Sequence, residues 1–302
     1  APAQFGKCHE VPVWQTSPLG PFDSWPTGGG GFEYFYGFIG GEADQYYPSL
    51  YEGTIPIDPP KTPEEGYHFT EDMTNKAIGW VRQQKALMAD KPFFMYYAPG
   101  ATHAPHHVPD EWIEKYKGRL DAGWDRLREE TFERQKALGV IPDDAVLTER
   151  PDEIPAYNDM PDELKPILAR EMETYAGFLE HTDHHIGRLL DFLRTLDEFD
   201  NTLIMVISDN GASSEGGPTG SVNENLFFNN VPESLDENLA RMDELGGPDT
   251  FNHYAWGWTW AGNTPFRRWK RETYRGGISD PFIVHYPEGI QVRGEVRTQY
   301  LH

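Results

Sequence analysis

An α/β fold with a doubly wound, mainly parallel sheet flanked by helices is the class this sequence predicts, because short apolar strands alternate with amphipathic helical stretches. Residues 93–98 (Phe-Phe-Met-Tyr-Tyr-Ala) form a compact aromatic run bounded by Lys91-Pro92 and Pro99-Gly100, as expected of a covered parallel strand. Residues 202–208 (Thr-Leu-Ile-Met-Val-Ile-Ser) are strongly β-branched and stop abruptly at Asp209-Asn210-Gly211, which reads as the clearest core strand. A third short strand is expected at residues 282–286.

Between them lie the helices. Thr70 is placed as an N-cap, with Glu71 and Asp72 in the dipole-favoured first turn and Met73, Ala77, Val81 and Met88 near one face. Leu164, Leu168, Met172, Tyr175, Leu179, Ile186, Leu190 and Leu193 recur every three or four residues and predict one long helix. Residues 17–62, rich in Gly, Pro and aromatics, read as an irregular covering loop. Prolines 142, 151, 155 and 161 break the charged stretch at 110–160 into a surface-lying insertion within one domain spanning 1–302. Residues 213–264 return to a Gly-, Asn- and Trp-rich composition.

Composition restricts the function classes. The chain has 302 residues, 38% of them hydrophobic, enough for an ordinary core. Asp and Glu number 49 against 26 Lys and Arg, a net charge of −23, which repels a phosphate backbone and argues against a nucleic-acid partner. No apolar run approaches the roughly 20 residues that span a bilayer. The single cysteine, Cys8, excludes an internal disulfide framework and a Cys-based zinc cluster.

Ligands of doubly wound folds gather at the carboxyl ends of strands, and His103 and Asp209-Asn210 follow two predicted strands, so both loops are expected over one sheet edge. Asp209 and Asn210 offer a carboxylate and an amide oxygen, donors suited to a hard cation, although Asp, Asn and Gly also favour an ordinary tight turn. On an extended segment Lys7 and His9 project to the same face and could hold one anion. Lys270 sits in a basic cluster, Arg267 to Arg271, before Gly276-Gly277. His103 can protonate a leaving oxygen, since imidazole titrates near neutrality. His181, His184 and His185 on the long helix read as structural or exposed.

These motifs resemble, in order, those of the sulfatase family of the alkaline-phosphatase superfamily. Gly6-Lys7-Cys8-His9 is similar to its Gly-Lys-Trp-His element, and His103 to the His of its His-x-Pro loop. Asp209-Asn210-Gly211 resembles its metal turn, and Lys270, Thr273 and Gly276-Gly277 its Lys-x-x-Thr-x-x-Gly-Gly element. The resemblance implies hydrolysis of a small-molecule sulfate ester by a formylglycine and one divalent cation, Ca²⁺ by its oxygen ligands. It implies Asp209 and Asn210 as metal ligands, Lys7 and Lys270 on the sulfate, His103 as the acid for the departing alcohol and His9 as the base of the return step.

Some of the pattern is missing. No Cys or Ser lies in Cys/Ser-x-Pro/Ala-x-Arg; Cys8 is followed by His9-Glu10-Val11. The family's first metal-binding Asp pair has no counterpart, Cys8 replaces the usual Trp, and Ser279 stands where many relatives have Arg. The nucleophile segment is therefore expected upstream, and a smaller subdomain beyond Tyr300-Leu301-His302, making the fold incomplete at both ends and the fragment by itself inactive. Two other readings are a phosphodiesterase or phosphonate ester hydrolase of the same superfamily, and a non-catalytic binder of sulfated ligands stacking them on Trp256, Trp258, Trp260 and the aromatics of 32–38.

Overall fold

A computed structural model describes residues 1–301; His302 lies outside them. In chain order the elements are β1 (Pro2–Cys8), β2 (Tyr34–Ile39), β3 (Leu50–Glu52), β4 (Ile55–Ile57), α1 (Phe69–Leu87), β5 (Phe94–Ala98), α2 (Asp110–Ile113), α3 (Gly123–Ala137) and α4 (Lys165–Thr195). β6 (Ile204–Ile207), α5 (Glu224–Phe228), α6 (Leu235–Ala240), α7 (Trp256–Gly262), α8 (Arg275–Ile278) and β7 (Phe282–His285) follow. The α/β class stands. Two compact units divide the chain: residues 1–116, 173–192 and 240–253 form one, and 117–172, 193–239 and 254–302 the other.

The first unit is built on a five-stranded sheet in the order β4-β3-β2-β1-β5. β1 pairs in parallel with both β2 and β5, with Gly6 opposite Gly37 on one side and Ala98 on the other. The β1–β2 contact has room only for hydrogen: a Cβ on Gly37 would lie 1.9 Å from the Gly6 carbonyl oxygen. Gly6 itself has φ +96°, and a Cβ there would sit 2.0 Å from the Ala98 oxygen and 2.7 Å from Met73 Sδ of α1. Ala3 and Phe5 are fully buried, and the Phe5 and Trp80 rings meet edge to face at 6.1 Å.

Several expectations change here. The aromatic stretch read as loop contains β2, with Phe35, Tyr36 and Phe38 buried. Strand pairing through Gly37 overrides the turn-like glycine content. Thr70 is not the cap of α1; His68 is, its Nδ1 accepting from the Thr70 amide at 3.3 Å while the Thr70 hydroxyl donates to Gln45 Oε1. Met73, Ala77 and Val81 are buried as expected, but Met88 is exposed at the helix end. β5 is parallel but incompletely covered, with Phe94 57% and Tyr96 43% exposed.

In the second unit, among the described residues, β6 pairs only with β7, antiparallel, Ile204 opposite His285. The strand read as the clearest core element is therefore not covered: Met205 is 54% and Ile207 69% exposed. Apolar content locates a strand without saying what lies over it. β5 and β6 also leave different sheets, so His103 and Asp209 do not follow neighbouring strands of one sheet. The stretch at 110–160 is not surface-lying throughout, because Trp124, Arg128, Phe132, Ile154 and Tyr157 are buried. Trp124 packs edge to face on Trp258, and the Arg128 guanidinium lies 4.3 Å from the Trp260 ring centre. Trp258 and Trp260 are thus interior residues rather than a stacking platform.

The strand contact yields a direct test. Gly6→Ala is expected to lower unfolding free energy by about 3 kcal/mol through overpacking and strain at positive φ. Urea titration measures it; a loss within about 0.5 kcal/mol, the range of a neutral surface change, would show that β1 can move aside.

Candidate active site

Because β1, β2 and β5 run parallel, their carboxyl ends deliver three loops to one edge of the first unit's sheet. Lys7 is the second-last residue of β1 and partly exposed, and His9 follows the strand in the open. The loop after β2 begins Gly40-Gly41-Glu42, and Gly41 lies against His9: a Cβ there would come 2.9 Å from the imidazole Cε1. Glu42 Oε2 is 3.6 Å from Nδ1 of His103, which lies on the loop after β5. The structure thus places Lys7 at the end of β1, His9 just beyond it and His103 on the loop after β5, with the loop after β2 touching both imidazoles.

The histidine loop is held from within. His107 is fully buried, donates through Nε2 to the Thr250 carbonyl at 2.6 Å, and presents Nδ1 to the Gln45 amide and, at 3.4 Å, to Asp44. His68 Nε2 donates to the His107 carbonyl at 3.0 Å, the His106 amide to the Asn252 carbonyl at 3.2 Å, and the Val108 amide to the Gly246 carbonyl at 2.9 Å. Burial holds His106 well below the ordinary imidazole range, and the charges of its histidine neighbours act in the same direction. Two of the three crowded histidines therefore fix the backbone, leaving His103 at the surface of the loop, 23% exposed.

On α4, His181 and His185 are buried and His184 is exposed. His181 Nε2 and His185 Nε2 are 3.1 Å apart, and Arg188 donates to His185 Nδ1 at 2.9 Å. Desolvation keeps both imidazoles depressed, and lowers His68 to about 4. Their role is packing, in keeping with the structural reading of the pair.

The second unit assembles the remaining motifs. Asp209-Asn210-Gly211 directly follows β6 and Ser208. The Gly211 amide donates to the Gly277 carbonyl at 3.3 Å, and the Lys270 amide to the Ala212 carbonyl at 3.0 Å. A Cβ on Gly211 would lie 1.7 Å from the Gly276 oxygen, so the turn needs glycine there, while one on Gly276 would meet the Arg268 oxygen at 2.0 Å. Asn263 Oδ1 accepts from the Ala212 amide at 2.9 Å. Arg128 then anchors the approach, donating to the carbonyls of Trp260 at 2.7 Å and of Pro265 and Phe266 at 3.0 Å. Burial pushes its pKa down to about 10, so it stays charged at neutral pH.

Asn210 Nδ2 donates to the Gly211 carbonyl at 2.9 Å, leaving its Oδ1 to serve as an acceptor or ligand. Burial, and then the charge of Asp209, holds the Asp280 carboxyl above its usual range, so a second carboxyl lies near enough to the turn to feel its charge. This oxygen chemistry fits a hard divalent cation but supplies only part of its usual six to eight ligands. Among the described residues no group of three or more His, Cys, Asp or Glu is arranged to hold a metal ion. Lys270 Nζ is paired with Glu215 Oε2 at 2.9 Å, with both side chains under 20% exposed. Sequence reasoning missed Glu42, Asp44, Arg128, Glu215, Asn263 and Asp280; only Gly40-Gly41 beside Glu42 gave a local signal.

The Sulfatase family profile matches residues 2–302. The chain belongs to the sulfatase family. It is 32% identical over 276 residues to an uncharacterised sulfatase of Schizosaccharomyces pombe, covering 88% of this chain and 46% of that protein. It is 26% identical over 275 residues to an arylsulfatase of Klebsiella aerogenes, covering 88% and 56%. Among solved structures it resembles the PsFucS1 sulfatase of Pseudoalteromonas at TM-score 0.50 and 17% identity, covering 98% of this chain and 44% of that one. Ps i-CgsB bound to k-i-k-neocarrahexaose matches at TM-score 0.51 and 19% identity, covering 95% and 44%. These structural likenesses support the alkaline-phosphatase-like α/β fold. The sulfatase chain spans about half the length of the curated relatives it matches.

Two outcomes follow for the first unit. Burial first, then a hydrogen bond and the charge from Glu10, raise the Cys8 thiol to about 11, which suppresses its thiolate at neutral pH. Cys8 should react with a disulfide reagent at pH 8 at least 100-fold more slowly in the folded protein than in urea, and equal rates would return it to consideration as a nucleophile. The buried imidazoles give the second. His68, His181 and His185 have folded pKa values below their unfolded value near 6.5, so the unfolded chain binds more protons as pH falls. Stability should be full above about pH 6.5 and decline toward pH 4, by up to about 1.4 kcal/mol per pH unit for each neutral imidazole. Urea midpoints across that range check it; a flat profile would mean that these rings are not buried neutral.

Proposed function

We propose that the protein carrying this chain is a sulfuric ester hydrolase of arylsulfatase type, acting on a small-molecule sulfate ester. The observation that carries this reading is the family match across residues 2–302, together with the two sets of neighbouring groups that fall on its motifs. Lys7, His9 and His103 come from the first unit, and Lys270, Asp209 and Asn210 from the second. A sulfate group needs its negative charge neutralised as the bond to the leaving oxygen breaks. Lys7 in the first unit and Lys270 in the second, the latter paired with Glu215, are each a fixed positive charge of the kind that neutralisation requires.

His103 carries the leaving-group proton. Its Nδ1 lies 2.9 Å from the Ala104 carbonyl, which can only accept, so Nδ1 bears hydrogen and Nε2 is the nitrogen that gains and loses the transferable proton. His9, exposed beside Gly41, is free to remove a proton when sulfate is expelled. Asp209 and Asn210 would hold the cation, for which we infer Ca²⁺ from the all-oxygen donor set; when bound it supplies charge to the sulfate oxygens and the nucleophile. The nucleophile itself is proposed to be a formylglycine outside these residues, since Cys8 is buried and its thiolate suppressed. Asn210, a neutral donor, favours a sulfatase over a phosphodiesterase with a zinc pair.

The full-length protein should release sulfate from aryl sulfates. His103→Ala should reduce kcat/KM about 100-fold or more for a poor phenolic leaving group and about tenfold or less for p-nitrophenol, whose departure needs little protonation. Equal loss across leaving groups would remove His103 from the acid role. Chelation should abolish turnover, with Ca²⁺ restoring it better than Zn²⁺; preferential rescue by Zn²⁺, or faster cleavage of phosphodiesters than sulfates, would favour the other branch of the superfamily.

A further inference from the structure

The loop after β2 carries two carboxylates, and each faces an imidazole of the histidine loop. Asp44 Oδ1 is 3.4 Å from Nδ1 of His107, and Glu42 Oε2 is 3.6 Å from Nδ1 of His103. The acids are two residues apart and the histidines four apart, so the two loops meet at a pair of matched contacts. The matched pairs differ in burial. His107 is fully buried, and its partner Asp44 also accepts from the Tyr46 and Tyr47 amides at 2.7 and 2.8 Å, which locks the loop's shape. Glu42 is 40% exposed and His103 23%, so this second pair opens toward solvent at the end of the sheet where Lys7 and His9 emerge.

We propose that Glu42 is a positioning residue for His103, fixing its Nδ1–H tautomer and favouring the imidazolium whose Nε2–H is delivered to the leaving oxygen. This rests on the acid role given to His103 above. The chemistry is that of a carboxylate behind a catalytic imidazole. Nδ1–H is shared between the Ala104 carbonyl at 2.9 Å and the Glu42 carboxylate, and a negative charge at this distance favours the protonated ring. His106, on the same loop, faces His103 as well but is buried and neutral, so it does not oppose that charge. Gly41 is the reason the carboxylate reaches: with His9 packed against its α-carbon, the chain turns between the two imidazoles without a side chain in the way.

The sign is definite. Removing the Glu42 charge lowers the pKa of His103, so the protonated acid is lost at lower pH and the alkaline limb of kcat/KM moves down. In the full-length protein, with histidine labelled for NMR, Glu42→Gln should shift the His103 titration downward by about half to one pH unit. The alkaline limb for a poor leaving group should move with it, and Glu42→Asp should restore part of both. Asp44→Asn should instead lower the urea midpoint and leave the His103 titration in place, because its carboxylate serves His107. An unchanged His103 titration in Glu42→Gln would overturn the proposal whatever His103→Ala does. Conversely, loss of leaving-group dependence in the acid test, with the Glu42-dependent titration intact, would remove the acid role while preserving the pairing.

Discussion

The parallel contact between β1 and β2 at Gly6 and Gly37 is the constraint from which the first unit's site follows. A Cβ on Gly37 would meet the Gly6 carbonyl oxygen at 1.9 Å, and one on Gly6 would meet the Ala98 oxygen of β5 at 2.0 Å. With β5 aligned on the other side of β1, Gly6 opposite Ala98, three chain segments leave the sheet side by side. What each carries is then fixed by sequence: Lys7 at the end of β1 and His9 after it, Gly41 and Glu42 after β2, and His103 after β5. The amphipathic α1 supports the arrangement from below, with Met73 against Gly6 and Trp80 against Phe5.

The second unit uses a different device for the same purpose. Its turn after β6 has no covered sheet behind it, so its shape depends on local hydrogen bonds and on a buried cation. Asn263 and the Gly276-Gly277 pair hold the Asp209 turn, while Arg128 collects the carbonyls of residues 260, 265 and 266 on the way to Lys270. A charged group fully buried among carbonyls would be costly alone, and here its two terminal nitrogens donate to Trp260, Thr148, Pro265 and Phe266, while its Nε is left without a hydrogen-bond partner. The candidate site residues of this unit are thereby tied to one another through the Gly211–Gly277 and Lys270–Ala212 backbone bonds, whether or not the apolar faces of β6 and β7 are covered.

Legibility in the sequence followed the range of the interactions. Strands β5, β6 and β7 and the helices α1 and α4 were visible because apolar periodicity is a local property. The motif residues were visible as well, because Lys7, His9, His103, Asp209, Asn210 and Lys270 each sit in a short recognisable pattern. β2 was hidden, since its glycine serves a strand pairing with a segment about 30 residues away. Exposure was hidden too: the β-branched residues of β6 have the composition of an interior strand, and nothing local reports the absence of a covering layer. Glu42 could not be singled out among 49 acidic residues, because its meaning lies in an imidazole some 60 positions later.

The central claim is that the loops after β1, β2 and β5 form one anion-binding edge in which His9 and His103 act together. Titrating the full-length protein with sulfate, while following the imidazole NMR signals of both histidines, tests it most directly. Signals from His9 and His103 that move together with one midpoint, while buried His107 stays still, are the predicted result. Independent midpoints, or a response from only one of the two rings, would contradict it.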